Sequence, residues 1–254
     1  MINFRGKRAQ ITIFVILGIL LVVGLVLFLS LRKTDSSVDF TGQADLNAVL
    51  ANINSYSTNC FDNVVDKSVK DVLLQGGYYD LSEVNHELIG SFSIPYYFKD
   101  YTKIVPSEER VLESIRLMII DNFDSCVDDY SAFDDFDIEI VKQSTSANIE
   151  SDNGLLISLN PNLVVVKNDL SIDVEGLTKF VVLDVNSLLL AAEEIIDSHI
   201  GFDQGYVSLT RISAAVNNHG LFFNALSYED SVVLLLKNSV DSSNVLVFMF
   251  ELNN

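Results

Sequence analysis

An uncharged apolar run near the N-terminus constrains this chain more than any other feature of its sequence. Residues 11–31 (ITIFVILGILLVVGLVLFLSL) carry no charge, and their polar members are Thr12 and Ser30. As a helix rising about 1.5 Å per residue, the run spans roughly 31 Å, which matches a hydrocarbon core of roughly 30 Å. A helix also satisfies its own backbone hydrogen bonds in lipid. The sequence therefore predicts a single transmembrane helix over residues 10–33.

Charge is distributed unevenly on the two sides of this run. Five basic residues flank it: Arg5, Lys7, Arg8, Arg32 and Lys33. Residues 34–254 carry the other 11 basic residues and all 35 acidic ones, a net charge of −24. The positive-inside rule favours a cytoplasmic N-terminus, with the bulk of the chain extracellular. The electrostatic field of so acidic a domain repels phosphate, and this excludes binding of nucleic acid through its overall charge.

The residues at the start of the run indicate a particular kind of processing. A secretion signal cleaved after its apolar core has a core of about 7–15 residues and a small-residue site, neither of which is present here. In front of the run, Lys7-Arg8-Ala9-Gln10-Ile11 resembles the class III signal peptide of archaeal type IV pilin-like proteins. The resemblance covers about residues 5–31. It implies cleavage between Ala9 and Gln10 by a prepilin-type peptidase, which removes a basic leader (1–9) and keeps the helix.

Two departures from the pilin pattern bear on this resemblance. Bacterial-type pilins usually carry a Glu where this chain has Phe14, although archaeal members often lack it. A polar linker over residues 34–42 interrupts the helix that in many pilins continues into the head. The resemblance therefore supports processing more strongly than assembly with other pilin-like subunits into a filament. The alternative is an uncleaved signal anchor whose basic residues only set its orientation.

Beyond the linker, the pattern predicts a helical subdomain over residues 43–132. Apolar residues three or four apart from Leu46 to Leu73 predict a helix that ends at Gly76-Gly77, since Gly favours the left-handed cap. A β-leaning stretch over 78–98 follows. Ser107, with acidic residues directly after it, then predicts the start of a second helix that continues to about residue 127.

An α+β subdomain with an antiparallel or mixed sheet is predicted over residues 136–254. The period shortens toward two beyond residue 134, and Asn153-Gly154 and Asn168-Asp169 favour hairpin turns. The predicted strands are 137–143, 155–159, 163–167, 170–174, 179–185, 231–237 and 244–251, and the predicted helices are 186–200 and 208–217. The last two strands are apolar throughout, which is typical of central strands covered on both faces. The fold class is therefore α+β.

The two cysteines, Cys60 and Cys126, each lie on the apolar side of a predicted helix. We expect both to face another element rather than solvent, so that adjacent helices can bring them within disulfide distance. An even count and an oxidising exterior favour the bond. The alternative is two unrelated buried thiols acting as small apolar residues.

Motifs for catalysis or metal binding are missing from the sequence. His86, His199 and His219 lack metal-ligand spacing, and we expect surface or capping roles for them. No nucleophile elbow, P-loop or dinucleotide turn is present. In the acidic stretch 124–139, Asp135, Asp137 and Glu139 occupy every second position and would share one face of a strand. This predicts a solvated acidic face or, as the alternative, a Ca²⁺ site. No catalytic, cofactor-binding or metal-binding residue is therefore assigned.

Tyr and Phe cluster at residues 78–79 and 94–101, where they predict core or edge-strand positions or, if exposed, a contact surface. Together these features predict a non-enzymatic, membrane-anchored surface protein without a cofactor. One alternative is an anchored binding or sensor module that does not polymerise. The other is an exported enzyme with a dispersed site.

Overall fold

The computed structural model describes residues 46–167, 170–200, 207–238 and 243–252. Within them the chain is α+β, with four α-helices, an irregular 3₁₀ segment at Asp128–Phe133, and strands in three sheets. This agrees with the predicted fold class of the domain. The predicted leader (1–9), membrane helix (10–33) and linker (34–42) lie outside the described residues.

The first helix, α1 (Leu46–Leu74), has the apolar stripe that the sequence predicts. Its buried face includes Val49, Ile53 and Val65, and it packs on the second helix. The chain turns away at Gly76 (φ +60°) and Gly77 (φ +82°), as expected of a glycine cap. The backbone N–H of Gly77 donates to the Val72 carbonyl at 2.8 Å and closes the last turn.

The second helix, α2 (Glu108–Val127), begins where the capping residue predicts. The backbone N–H of Arg110 donates to the Ser107 hydroxyl at 3.3 Å, and Glu108 and Glu109 follow in the first turn. Acidic side chains there interact favourably with the helix dipole. Ile115, Ile119 and the other apolar residues of one face are fully buried.

A six-stranded sheet lies within the core, and its central strands are buried on both faces. Its strands are β1 (His86–Ile89), β2 (Phe92–Lys99), β3 (Thr102–Lys103), β10 (Leu221–Tyr228), β11 (Ser231–Asn238) and β12 (Val245–Glu251). Their order is β1-β2-β12-β11-β10, with β3 paired to β2. The pair β2–β12 is parallel and the others are antiparallel. The two apolar strands β11 and β12 are central, as predicted.

This sheet joins parts of the chain that the sequence pattern separates. Strands β1 to β3 come from the predicted helical part (43–132), whereas β10 to β12 come from the predicted α+β part (136–254). Residues 45–254 form one compact unit. Two more helices, α3 (Val185–Ile200) and α4 (Leu209–Asn218), pack together, and both match their predicted bounds to within one residue.

Six further strands form two three-stranded antiparallel sheets. They are β4 (Glu139–Lys142), β5 (Ser146–Ser151), β6 (Leu155–Asn160), β7 (Leu163–Lys167), β8 (Leu170–Asp173) and β9 (Leu177–Val181). The orders are β4-β7-β8 and β5-β6-β9. Asn153 and Gly154 both have positive φ in the β5–β6 hairpin turn, as predicted. The predicted turn at Asn168-Asp169 lies outside the described residues.

Several strand predictions were wrong in detail. Neither β5 nor β10 was predicted, because both expose one polar or mixed face to solvent and lack a continuous apolar run. The strand predicted over 179–185 ends at Val181, since Asp184 accepts hydrogen bonds from the backbone N–H and hydroxyl of Ser187 and so starts α3. Residues 78–85 of the β-leaning stretch form a turn, bends and irregular backbone rather than strand.

Candidate binding groove

The two three-stranded sheets are halves of one bent ribbon. Strand β4 runs on into β5, β6 into β7, and β8 into β9, and the strand order is the same in both halves. Residues 143–145, 161–162 and 174–176 connect the members of these pairs. The ribbon therefore consists of three long strands, and all three bend at the same level. The ribbon's β5-β6-β9 half contacts α1 and α2. Leu155, Ile157 and Leu159 on its central strand are buried.

Asn162 holds the bend through both its backbone and its side chain. Its φ is +47°, a left-handed conformation that Asn tolerates better than most residues. Its backbone N–H donates to the Asn160 side-chain oxygen at 3.0 Å, and its side-chain amide donates to the Ser144 carbonyl. Its own carbonyl accepts from the Gln143 N–H at 3.0 Å. These bonds join two neighbouring strands at the bend.

A groove of about 650 Å³ lies at this bend and takes side chains from both halves of the ribbon. Its polar residues are amides and hydroxyls: Gln143, Ser146, Asn148, Ser158, Asn160, Asn162 and Thr178. Its apolar residues are Ala147, Leu159, Leu163, Val164, Val174 and Leu177, and Gly176 also lines it. Asp173 is the single charged residue of the lining. Lys, Arg, His and Cys do not occur among the lining residues.

Three of the polar residues form a row across the exposed side of the ribbon. Asn148 pairs with Ser158, and Ser158 pairs with Thr178, so the three side chains are adjacent on one face. The Asn148 amide donates to Glu150 at 3.3 Å. In the described part of the chain, no protein hydrogen bond engages the side chains of Ser158 or Thr178. The next row on this face presents Phe180, of which 54% is exposed.

The predicted cysteine pair does come together. Cys60 of α1 and Cys126 of α2 have their Cα atoms 5.9 Å apart, and their sulfurs lie at disulfide-bonding distance. Cys60 is buried as expected. Cys126 also faces the neighbouring helix, as expected, but it lies at the last turn of α2 and, against the prediction, is exposed to solvent. The Tyr56 hydroxyl donates to the Cys126 carbonyl at 3.2 Å beside the pair.

Two carboxylates of the acidic stretch contact a lysine of the ribbon. Lys142 of β4 lies 3.2 Å from carboxylate oxygens of both Asp124 and Asp129. Burial would lower the pKa of Lys142, but these two carboxylates outweigh it and raise that pKa. The predicted alternation on a strand does not include Asp135 or Asp137, since β4 begins at Glu139. Among the described residues, no group of three potential metal ligands is close enough to hold an ion.

The histidines divide between surface and core. His86 is exposed, and His219 follows α4 with its ring 3.4 Å from Glu194. The surface role expected for His199 was wrong, because it packs between Phe98 and Phe250 with 7% exposed. Its ring nitrogen Nε2 lies 3.1 Å from the Glu251 carbonyl. Burial lowers the pKa of His199 more than this hydrogen bond raises it.

The aromatic cluster lies mainly in the core, as expected. Tyr96, Tyr97 and Phe98 of β2 are buried, and Tyr97 stacks on Phe248 with ring centroids 4.3 Å apart. Burial raises the pKa of Tyr78 to about 12. Tyr101, in contrast, is 83% exposed in the β2–β3 turn.

The groove residues were not found by sequence reasoning. The signal for them was the alternation of Ala147 and Ile149 with polar neighbours in β5, a pattern too short to separate from a loop. The predicted processing residues Ala9 and Gln10 lie outside the described residues. Among the helices of the described ranges, none is long and apolar enough to cross a membrane.

No family profile, curated protein or solved structure matches this chain.

Proposed function

We propose that this chain is a membrane-anchored surface protein of the archaeal type IV pilin-like class, with a structural or binding role outside the cytoplasm. The observation that carries the exported location is the Cys60–Cys126 pair at disulfide-bonding distance, whereas the pilin-like class rests on the resemblance of residues 7–11. Disulfides persist in oxidising compartments and are rare in the cytosol. Taken with the apolar run 11–31, the pair supports an N-terminal anchor and an exported domain.

The charge of the domain supports the same location. Residues 34–254 carry a net charge of −24. Three lysines in the described residues each lie beside two carboxylates: Lys103, Lys142 and Lys179. The excess acidic side chains keep such a domain soluble and repel it from anionic lipid headgroups.

A non-enzymatic role is part of the proposal. The groove lining holds one carboxylate, Asp173, and offers neither a histidine base nor a thiol nucleophile. General acid–base chemistry needs a proton-transferring group within hydrogen-bond reach of a reacting atom. Amides and hydroxyls bind polar groups without titrating, so this lining favours binding over catalysis.

Mass spectrometry of the mature N-terminus in native membranes tests the pilin-like class. We expect a chain that begins at Gln10. Ala9→Phe should leave the leader attached, because the residue before the scissile bond is small in this class. Ile13→Leu, a conservative change inside the apolar run, should be processed normally. A membrane-bound wild-type chain beginning at Met1 would exclude the pilin-like class.

The second candidate function is an anchored binding module that does not polymerise. The groove of about 650 Å³ favours it, since its volume falls within the range of small-ligand sites. An unprocessed N-terminus, a monomeric state after crosslinking in membranes and an oxidised cysteine pair would together support this candidate over the pilin-like one.

A further inference from the structure

The groove at the ribbon's bend has a lining that selects a ligand by charge. This chain has 35 acidic residues, yet one of them, Asp173, lines the groove, and no basic residue does. An anionic ligand such as a phosphate or carboxylate would find no cation there and would meet the repulsion of an acidic domain. A cation would find the Asp173 carboxylate in the lining and, beside the row, the Glu150 carboxylate that already accepts from Asn148, and the described residues hold no cluster of three metal ligands.

The polar groups of the lining match a ligand rich in hydroxyl groups. A side-chain amide donates and accepts, and so does a serine or threonine hydroxyl. A sugar hydroxyl likewise donates and accepts at one oxygen. Asn148, Ser158 and Thr178 place three such side chains in adjacent positions on paired strands. Directly paired side chains have Cβ atoms about 4.5–5.5 Å apart, so the row can contact hydroxyl groups at different positions of one ring.

The groove also offers apolar surface for the carbon side of such a ligand. Leu159, Leu163 and Leu177 line it beside the amides. Phe180 is half-exposed one row further along the same face of the ribbon. An exposed aromatic ring gives a flat apolar surface against which the C–H face of a second sugar ring can pack.

We propose that this groove is a binding site for neutral carbohydrate, with Asn148, Ser158 and Thr178 as the hydrogen-bonding row. The site takes one saccharide unit at the bend, and the half-exposed Phe180 ring, which lies over Gly154 at the β5–β6 turn, is available to a unit beyond the groove. This inference rests on the proposed binding role of the exported domain. It is nevertheless independent of leader cleavage and filament assembly, so its failure would leave the N-terminal test unaffected.

Saturation-transfer NMR on the full chain in phosphatidylcholine nanodiscs tests the site without sugar-based detergent. The probes are the neutral trisaccharides maltotriose, cellotriose, mannotriose and triacetylchitotriose, with anionic trigalacturonic acid and the cationic glucosamine trimer as charged comparisons. We expect saturation transfer to at least one neutral trisaccharide and to neither charged one. Absence of transfer to all four neutral probes, or stronger binding of a charged probe, would overturn the proposal.

Substitutions then locate the site. Ser158→Phe fills the row and should weaken binding of the neutral probe by about tenfold or more. Ser227→Phe places the same side chain at an exposed position of β10 and should leave affinity unchanged. The double variant Asn148→Ala/Thr178→Ala removes hydrogen bonds without adding bulk and should also weaken binding by about tenfold. Equal affinity in wild type and the double variant would place binding elsewhere and refute the assignment.

Discussion

At the residue scale, the glycines that end helices and hairpins differ in what surrounds them. Gly76, after α1, has φ +60°, and an added Cβ would overlap Cγ of Pro95 and lie 3.0 Å from the Val247 carbonyl oxygen. Gly90, in the β1–β2 turn, has φ +65°, and an added Cβ would meet nothing within 4 Å. The two positions therefore share a backbone conformation but not a steric environment.

Alanine substitutions at these glycines separate backbone strain from packing. Gly90→Ala should lower the free energy of unfolding by about 1 kcal/mol, the cost of a left-handed non-glycine residue. Gly76→Ala should cost about 2 kcal/mol more, because Pro95 and the Val247 backbone have to move. Urea unfolding monitored by circular dichroism measures both. Equal losses in the two variants would mean that Gly76 does not lie against Pro95 and the Val247 carbonyl.

Buried His199 predicts a specific pH dependence of stability. Because its pKa is lowered in the folded state, the unfolded chain binds the proton more readily. Stability is unaffected by this group above its unfolded pKa of about 6.5 and falls as the pH drops below that value. His199→Gln keeps a donor for the Glu251 carbonyl but does not titrate. The free energy of unfolding should therefore decline less steeply in this variant between pH 7 and 5, and parallel profiles would contradict the burial of His199.

At the element scale, the cysteine pair ties α1 to α2 across 66 residues of chain. Closing a loop of this length stabilises by roughly 4 kcal/mol on the chain-entropy account. Cys60→Ala/Cys126→Ala should lose about that amount in urea unfolding. A reductant should destabilise the wild type by a similar amount and leave the double variant unchanged. If reduction does not alter wild-type stability, the two helices are not covalently joined.

The bend of the ribbon depends on Asn162, and two substitutions there separate the contribution of its side-chain hydrogen bond from that of its backbone conformation. Asn162→Gly keeps the positive φ and loses the bond to Ser144, at a cost of about 1 kcal/mol. Asn162→Ala also adds backbone strain and should cost about 1 kcal/mol more. Amide exchange at Gln143, which donates to the Asn162 carbonyl, should accelerate in both. In Asn148→Ala, which leaves the bend bonds in place, exchange at Gln143 should stay slow.

Helices and central strands could be predicted from the sequence because their signals are local. The Ser107 cap, the glycines after α1 and the apolar runs of β11 and β12 each mark one element. Strand β5 lacked such a signal, since its partner β6 determines its register and its exposed face is polar. The parallel pairing of β2 with β12 is equally invisible to local patterns, because about 150 residues separate the two strands.

At the scale of the whole molecule, the candidate site was the least predictable feature. The meeting of Cys60 with Cys126 was predicted, because both lie on helices with a clear apolar stripe. The groove was not predicted. It forms where the three long strands of the ribbon bend together, and its residues come from the segments β5 to β9 and their connections. Asn148, Ser158 and Thr178 are ordinary surface residues until the pairing of β5, β6 and β9 aligns them.

We propose that an N-terminal anchor holds a disulfide-bonded domain outside the cytoplasm. Thiol trapping in native cells, followed by carbonate extraction and intact-mass measurement, examines the anchor and the disulfide together. We expect a chain that stays with the carbonate-washed membranes and takes up alkylating reagent at Cys60 and Cys126 only after reduction. A chain recovered from the cytosol with both cysteines alkylated before reduction would contradict it.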